Sequence, residues 1–311
     1  MADRWRYAGG IGVTGVLFAL IHLGGIYVVT AFAAVDPSPG GAADDPRFGL
    51  LFVIALLVGT GLMLAAFRWN LDWIVRGLVL FVTFGLSVLV LDIILPPVLV
   101  IGGIPVVPVV IGAGFVGLLA IYPEWYVLNA VGVLVGAGAV GLLGMTLGIR
   151  TAVILLVLLA VYDLISVYGT KHMLTLAEGA MRGRLPVVLV IPLSLSFSIL
   201  SNDEDDESFA PDGALVIGLG DAVIPGLLAT SAALYGPVEP TMIAGLSLSA
   251  PVGGVIVGTL VGLIALFVIP ESGKPHPGLP FLAGGAIGGY LVGSALVGVS
   301  PVDALSVIII E

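Results

Sequence analysis

The sequence predicts an all-α polytopic membrane protein with nine transmembrane helices, because its composition is extreme and its apolar segments are long. Of its 311 residues, 59% are hydrophobic and only 10% are charged, whereas soluble domains carry about 25% charged residues. The mean hydropathy is +1.23. A helix needs about 20 mostly apolar residues to cross a bilayer. Such segments lie at 8–34, 49–67, 74–95, 98–121, 125–147, 151–170, 213–235, 242–269 and 279–299.

The longest connection between these segments, residues 171–212, divides the chain into six helices in 1–170 and three in 213–311. In this connection "KHMLTLAEGAMRGR" has the mixed apolar and charged spacing of an interfacial helix. Two prolines then interrupt the apolar stretch "LPVVLVIPLSLSFSIL" and predict an extended or re-entrant segment, with the extended part at 185–193. The acidic run "SNDEDDESFAPDG" predicts a solvated loop before the seventh helix.

The basic residues predict that the N-terminus is cytoplasmic and the C-terminus outside. Cytoplasmic loops keep an excess of Lys and Arg. With nine helices and the N-terminus inside, only Arg47 and Arg150 of the ten basic residues lie outside. The eight basic residues on the cytoplasmic side are Arg4, Arg6, Arg68, Arg76, Lys171, Arg182, Arg184 and Lys274.

Composition also excludes several classes of function. The chain has no cysteine, which removes disulfide frameworks, thiolate metal sites and cysteine nucleophiles. His22, His172 and His276 lie far apart and belong to no H-E-x-x-H helix, so a zinc metalloprotease lacks its ligands. The net charge of −10 argues against nucleic acid as a partner. Membrane lipid is the expected surrounding.

Glycine recurs at four-residue spacing in the later helices, at Gly254, Gly258 and Gly262 and at Gly289 and Gly293. This spacing lets helix backbones approach closely. We therefore predict tight helix packing, with no chemical role for these glycines.

Four ionisable residues fall well inside the apolar segments: His22, Asp92, Asp163 and Asp221. Charged groups at membrane depth are costly and mark functional sites by default. For His22 the commoner role is a hydrogen bond between helices, and Asp92 lies near a helix end where it reaches water. Asp163 and Asp221 lie on the two helices that adjoin the long connection, each about eight residues or 12 Å from the helix end. They can therefore share one site.

Two carboxyl groups in one site support hydrolysis, because both cannot be charged at low cost and one keeps its proton. The carboxylate can then activate a water while its protonated partner stabilises the oxyanion of an amide under attack. Gly218 and Gly220 leave room beside Asp221 for another backbone. Pro225 lacks the N–H that would bond to the Asp221 carbonyl, which weakens the helix there. Tyr162 either orients a neighbour through its hydroxyl or packs.

Three motifs carry a resemblance to a known family: "YD" at 162–163, "GLGD" at 218–221 and "PGLP" at 277–280. With nine segments along almost the whole chain, they resemble the presenilin and signal peptide peptidase superfamily of intramembrane aspartyl proteases. The chain looks most like an undivided prokaryotic presenilin homologue, and its basic residues favour the presenilin orientation. The family's element usually reads Pro-Ala-Leu, and in this chain Gly278 replaces the alanine. This change could loosen the start of the ninth helix by about 1 kcal/mol.

The resemblance implies a presenilin-like bundle of six plus three helices in which Asp163 and Asp221 are the catalytic pair. It implies transmembrane segments of other proteins as substrates and requires no metal or other cofactor. The residues expected to position substrate are Tyr162, Gly218, Leu219, Gly220, Pro277, Gly278, Leu279 and Pro280. A helical substrate must unwind before attack, and we expect 185–193 and "PGLP" to pair with it as added strands.

Three other interpretations remain open from sequence. An ion- or proton-coupled transporter would use Asp163 and Asp221 as cation sites, although transporters usually show internal repeats and none is visible here. A protease of the prepilin peptidase type shares only "GLGD" with this chain. An inactive scaffold would not need both acids. The natural substrates, accessory subunits and oligomeric state stay open.

Overall fold

The computed structural model describes residues 2–35, 46–69, 71–170, 187–194, 196–200, 213–269 and 276–305. This part of the chain contains ten α-helices and three two-stranded antiparallel sheets. The helices are α1 (Ala2–Val35), α2 (Pro46–Arg68), α3 (Asp72–Ile94), α4 (Val106–Ile121), α5 (Trp125–Thr146), α6 (Ile149–Ile165), α7 (Leu219–Tyr235), α8 (Ala250–Val268), α9 (Leu279–Leu296) and the short α10 (Pro301–Leu305). The strands are β1 (Val100–Ile101), β2 (Ile104–Pro105), β3 (Val188–Pro192), β4 (Ala214–Gly218), β5 (Thr241–Ile243) and β6 (Leu246–Leu248).

The helices agree with an integral membrane protein. Among the described residues, six helices are long and apolar enough to cross a bilayer, in α1, α3, α5, α6, α8 and α9. Three shorter apolar helices, Leu50–Ala66, Val106–Ile121 and Leu219–Tyr235, match the other predicted segments. The last two have 16 and 17 residues, about 25 Å of helix against a hydrocarbon core of about 30 Å. Nine crossings therefore remain a prediction.

Three of the predicted helix starts, at residues 98, 213 and 242, are wrong because the chain is extended there. Near residues 98 and 242 the chain forms hairpins with two-residue turns, β1–β2 and β5–β6. Gly102 and Gly103 have φ of 60° and 83°, and Ala244 and Gly245 have φ of 51° and 81°. Positive φ at both central residues is the type I′ geometry that suits the twist of paired strands. Apolar runs alone do not distinguish strand from helix.

The third sheet pairs β3 with β4, from Val188 opposite Gly218 to Pro192 opposite Ala214. This confirms an extended segment before the acidic run. β4 leads directly into α7, and the Leu219 N–H at the start of α7 donates to the Val187 carbonyl at 2.8 Å. The predicted interfacial helix and nearly all of the acidic loop lie outside the described residues.

The glycine spacing produces close helix contacts, as predicted. A Cβ atom added at Gly254 would lie 2.1 Å from the Gly289 carbonyl oxygen, and one at Gly258 would lie 2.1 Å from the Gly285 carbonyl oxygen. The backbones of α8 and α9 therefore touch along their length. Similar contacts join α1, α5 and α7, where a Cβ at Gly25 would lie 2.4 Å from Val140 Cγ1. These contacts set the positions of the helices around the two aspartates.

Candidate active site

Asp221 lies in the first turn of α7, three residues after the last residue of β4. Gly218 is the N-cap of this helix, and its backbone N–H bonds to the Asp221 carboxyl group. This is the return contact of a capping box, made by an acidic side chain at the third helical position. A Cβ atom on Gly218 would lie only 3.3 Å from Asp221 Oδ2. The glycine therefore permits the close approach of the carboxyl group.

Asp163 lies near the end of α6 and is buried, with 7% of its surface exposed. The helix continues after it as a π-helical turn, Ser166–Thr170, and the Ser166 hydroxyl donates to the Asp163 carbonyl oxygen at 3.0 Å. On the side chain, Asp163 Oδ2 accepts the backbone N–H of Leu279 at 3.1 Å. The start of α9 thus binds this carboxyl group directly.

The backbone of the "PGLP" stretch lies against both aspartates. Its Leu279 N–H binds Asp163, while a Cβ atom added at Gly278 would lie 3.5 Å from Asp221 Oδ2. The two carboxyl groups are close enough to interact electrostatically. The structure therefore brings together "YD", "GLGD" and "PGLP", which are separated by more than 50 residues in sequence.

Gly278 leaves a small space that the family's alanine would fill. The added Cβ would lie 3.4 Å from Leu266 Cδ2 and 3.5 Å from Asp221 Oδ2, which are ordinary van der Waals contacts. The start of α9 is nonetheless a regular helix, with Leu279 and Pro280 as its first two residues. Proline suits this position, because the first helical N–H groups have no intrahelical partner.

The other predicted site residues lie around this centre with different surroundings. Leu219 and Pro277 are buried, Tyr162 and Pro280 are half-buried, and Gly220 is exposed. A Cβ at Gly220 would meet nothing within 4 Å, so no described residue covers the face of α7 beside Asp221. Asp92, in contrast, is exposed on α3.

Two polar residues at the start of α5, which the sequence did not single out, hold β3 beside this site. The side-chain amide of buried Asn129 donates to the Val190 carbonyl at 2.6 Å and accepts the Val190 N–H at 2.9 Å. Glu124 accepts hydrogen bonds from the Ser198 hydroxyl and from the Ile199 N–H. A single asparagine in an otherwise apolar segment is the only sequence signal for this clamp.

Glu124 lies just before the membrane-spanning part of α5, and the residue is 4% exposed. Burial raises the pKa of this carboxyl group, but hydrogen bonds from Ser198 and from the backbone N–H groups of Ile199 and Leu200 outweigh it. The net effect is a pKa below the ordinary glutamate value. Glu124 is therefore ionised at neutral pH and holds the chain that follows β3.

The expected pairing of residues 185–193 with a substrate strand stays a prediction, but at Val190 a side chain of the protein already occupies the outer edge of β3. The Leu219 N–H donates to the Val187 carbonyl, and the Leu193 N–H donates to the Gly213 carbonyl. Because the backbone groups of alternate residues face the partner strand in an antiparallel pair, these two bonds fix which residues of β3 and β4 bond to each other. Val190 faces away from β4, and Asn129 takes both of its backbone groups. In β4 the corresponding residue is Val216, whose N–H and C=O face the opposite edge, where no described residue pairs with them.

Comparison with known proteins identifies a family and a similar fold. The family model described as signal-peptide peptidase, presenilin aspartyl protease matches residues 15–299. Two solved structures of a presenilin family intramembrane aspartate protease are similar to this chain. The one in space group C222 has a TM-score of 0.64 and 28% identity, covering 92% of this chain and 99% of that chain. The one in space group P2 has a TM-score of 0.58 and 30% identity, covering 91% and 96%. The search of curated proteins found no match.

Proposed function

The chain belongs to the signal-peptide peptidase and presenilin family of aspartyl proteases, and from this we propose that it hydrolyses peptide bonds within transmembrane segments using Asp163 and Asp221. The observation that carries the proposal is the contact of one short backbone stretch with both carboxyl groups. Leu279 N–H binds Asp163, and Gly278 packs beside Asp221.

The chemistry follows from two carboxyl groups that share a site. Because close carboxylates repel, the pair holds one proton between them. The ionised member takes a proton from a water, and the water oxygen attacks the peptide carbonyl carbon. The protonated member donates a hydrogen bond to the developing oxyanion and then transfers its proton toward the leaving amine. The pair therefore supplies acid and base with no covalent intermediate.

The edge of β4 that no described residue pairs with supports a binding mode for the substrate. An unwound segment has unpaired N–H and C=O groups, which are costly in a membrane unless they find partners. Val216 offers such partners five residues before Asp221. A substrate strand added there would be recognised mainly through its backbone. Its chain would continue past exposed Gly220 toward the two aspartates.

The test is cleavage of a single-span reporter by the purified protein in liposomes. The native protein should cut within the span, and Asp163→Ala and Asp221→Ala should each stop cleavage. Asp92→Ala, which removes a carboxyl group far from this centre in sequence, is the matched control and should cut at the native rate. Equal cleavage by all folded variants would contradict the proposal.

The transporter hypothesis has no comparable support from the family match, and the same liposomes test it. Uptake of a cation that depends on both aspartates, without cleavage of the reporter, would favour transport. Because proteolysis needs no gradient, its rate should be the same with and without one.

We also propose the finer topology: nine crossings in the cell membrane, with a cytoplasmic N-terminus and the C-terminus outside. It rests on the distribution of Lys and Arg described above. The chain has no cysteine, so Trp5→Cys and Val302→Cys would each introduce a single exposed thiol near one end. An impermeant thiol reagent should label the two variants from opposite sides. Labelling from the same side would refute an odd number of crossings.

A further inference from the structure

His22 connects α1 to the turn of α7 that carries Asp221. Its side chain is 1% exposed, and its Nε2 atom lies 2.9 Å from the carbonyl oxygen of Ala222. A carbonyl oxygen only accepts hydrogen bonds, so Nε2 carries the proton and donates it. Ala222 directly follows Asp221. A single hydrogen bond from α1 thus reaches the backbone next to the proposed catalytic carboxyl group.

The first turn of α7 depends on partners outside the helix. Its first N–H groups have no intrahelical acceptor, and Pro225 lacks the N–H that would bond to the Asp221 carbonyl. One external bond runs from the Leu219 N–H to the carbonyl of Val187, the residue before β3. The His22 bond is a second one, from the neighbouring helix α1. Together they hold both ends of a turn that the helix itself holds weakly.

Gly226 is shaped for this contact. A Cβ atom at Gly226 would lie 2.7 Å from His22 Cδ2 and 3.0 Å from His22 Nε2. Real Cβ atoms do not approach so closely, so any larger residue would displace the imidazole ring. The glycine thus lets the ring lie against the backbone of α7, one turn after Ala222.

Packing alone does not account for a histidine here. Its Nδ1 atom is buried and, among the residues that the structure describes, has no hydrogen-bond partner. A buried polar atom without a partner is unfavourable. An apolar side chain would fill the same space without that cost. The Nε2 bond is therefore the feature that a histidine supplies and an apolar residue does not.

We propose that His22 is a positioning residue: its hydrogen bond to the Ala222 carbonyl fixes the first turn of α7 and so aims the Asp221 carboxyl group at the scissile bond. The inference rests on the proposed function of Asp221. It gives α1 a role in catalysis beyond crossing the membrane. It also explains why "GLGDAVIPG" continues to a glycine at residue 226.

The experiment compares three variants with the native protein in the reporter assay. His22→Phe keeps a ring of similar size but has no donor, whereas His22→Gln keeps an N–H at nearly the reach of Nε2. Thr14→Val is the matched control, because Thr14 is also buried on α1 but bonds within its own helix, to the Gly10 carbonyl at 2.9 Å. For each variant, kcat and KM are measured together with the thermal unfolding midpoint.

The expected result is a fall in kcat of about 10- to 100-fold in His22→Phe, the scale of a small misplacement of a reacting group, with KM unchanged. His22→Gln should recover most of this loss, and Thr14→Val should match the native protein. If His22→Phe does not fold, Gly226→Ala gives the second test, since it displaces the ring without removing it and should also lower kcat.

Two results would overturn the inference alone: a native kcat in folded His22→Phe, or no recovery in His22→Gln relative to His22→Phe. A lower unfolding midpoint with native kcat would mean that His22 only stabilises the fold. A folded native protein that does not cleave the reporter would instead overturn the proposed function, and the inference with it.

Discussion

Replacing Gly285 by alanine should separate α8 from α9 and disable the site through the start of α9. A Cβ atom at Gly285 would lie 2.2 Å from the Gly258 carbonyl oxygen and 3.0 Å from its carbonyl carbon. Ordinary contact begins at 3.4 Å, so the two backbones must move apart by about 1 Å. Both obstructing atoms belong to backbone, and no side-chain rotation relieves the contact.

The displacement reaches the aspartates because Leu279 lies on the same helix, about 9 Å along its axis. Its N–H donates to Asp163 at 3.1 Å, and a shift of about 1 Å away from Asp163 would lengthen this contact to about 4 Å, beyond hydrogen-bond distance. We expect kcat to fall about 100-fold. Overpacking should lower the free energy of unfolding by about 1 to 3 kcal/mol.

The assay is reporter cleavage per folded molecule, with the thermal unfolding midpoint measured on the same preparations. Gly284→Ala is the matched control, because a Cβ at the neighbouring Gly284 meets nothing within 4 Å. It should keep native activity and gain about 0.5 to 1 kcal/mol, since glycine in a helix is less stable than alanine. Equal activity and stability in the two variants would refute the argument from close packing.

Three further predictions follow from single contacts. Leu279→Pro removes the N–H bound to Asp163 at the first helical position, where proline is common, so it should abolish cleavage. The thermal unfolding midpoint is measured on the same variant to check that it folds. Leu279→Val keeps the N–H and should remain active, and equal activity of the two folded variants would exclude this bond. Asn129→Leu leaves the Val190 N–H and C=O buried without partners, so the unfolding free energy should fall by about 1 to 3 kcal/mol for each group; a native thermal midpoint would contradict this. Glu124→Gln should lower the thermal unfolding midpoint at pH 7. Because the pKa of Glu124 is depressed in the folded protein, its stabilisation is present above the ordinary glutamate range and is lost as the pH falls through the depressed pKa. The native and variant midpoints should therefore converge in acid, and a constant difference would show that the ionised Glu124 carboxylate does not stabilise the fold.

Much of the membrane architecture could be predicted from the chain. Long apolar runs allow few alternatives to spanning helices, and four-residue glycine spacing at Gly254 and Gly258 indicates helix contact wherever a partner exists. Three helix starts could not be predicted in this way, because hydropathy does not separate a buried strand from a helix. The dipeptide "GG" at 102–103, between two apolar runs, was the available turn signal. β4 had no such signal, since its strand character depends on pairing with distant β3.

The candidate site, too, could be predicted only in part from the sequence. Asp163 and Asp221 stand out because acids are rare at membrane depth, and equal depth on two helices suggested a shared site. That Leu279 acts through its backbone N–H is not visible in a sequence, because every residue except proline carries this group. Asn129 was missed because one amide in an apolar helix resembles a packing residue until its partner is known. His22 was expected to bond between helices, and only the fold places its partner beside Asp221.

The most direct test of the central claim is the binding of an aspartic transition-state analogue to the native protein and to Asp163→Ala, Asp221→Ala and Asp92→Ala. Such analogues bind at least about 100-fold more tightly than substrates when the complete site is present. If the two carboxyl groups form one hydrolytic site, the native protein and Asp92→Ala bind one analogue per chain, and each of the other two variants loses this affinity. Native affinity in either Asp163→Ala or Asp221→Ala would show that the two aspartates do not act together.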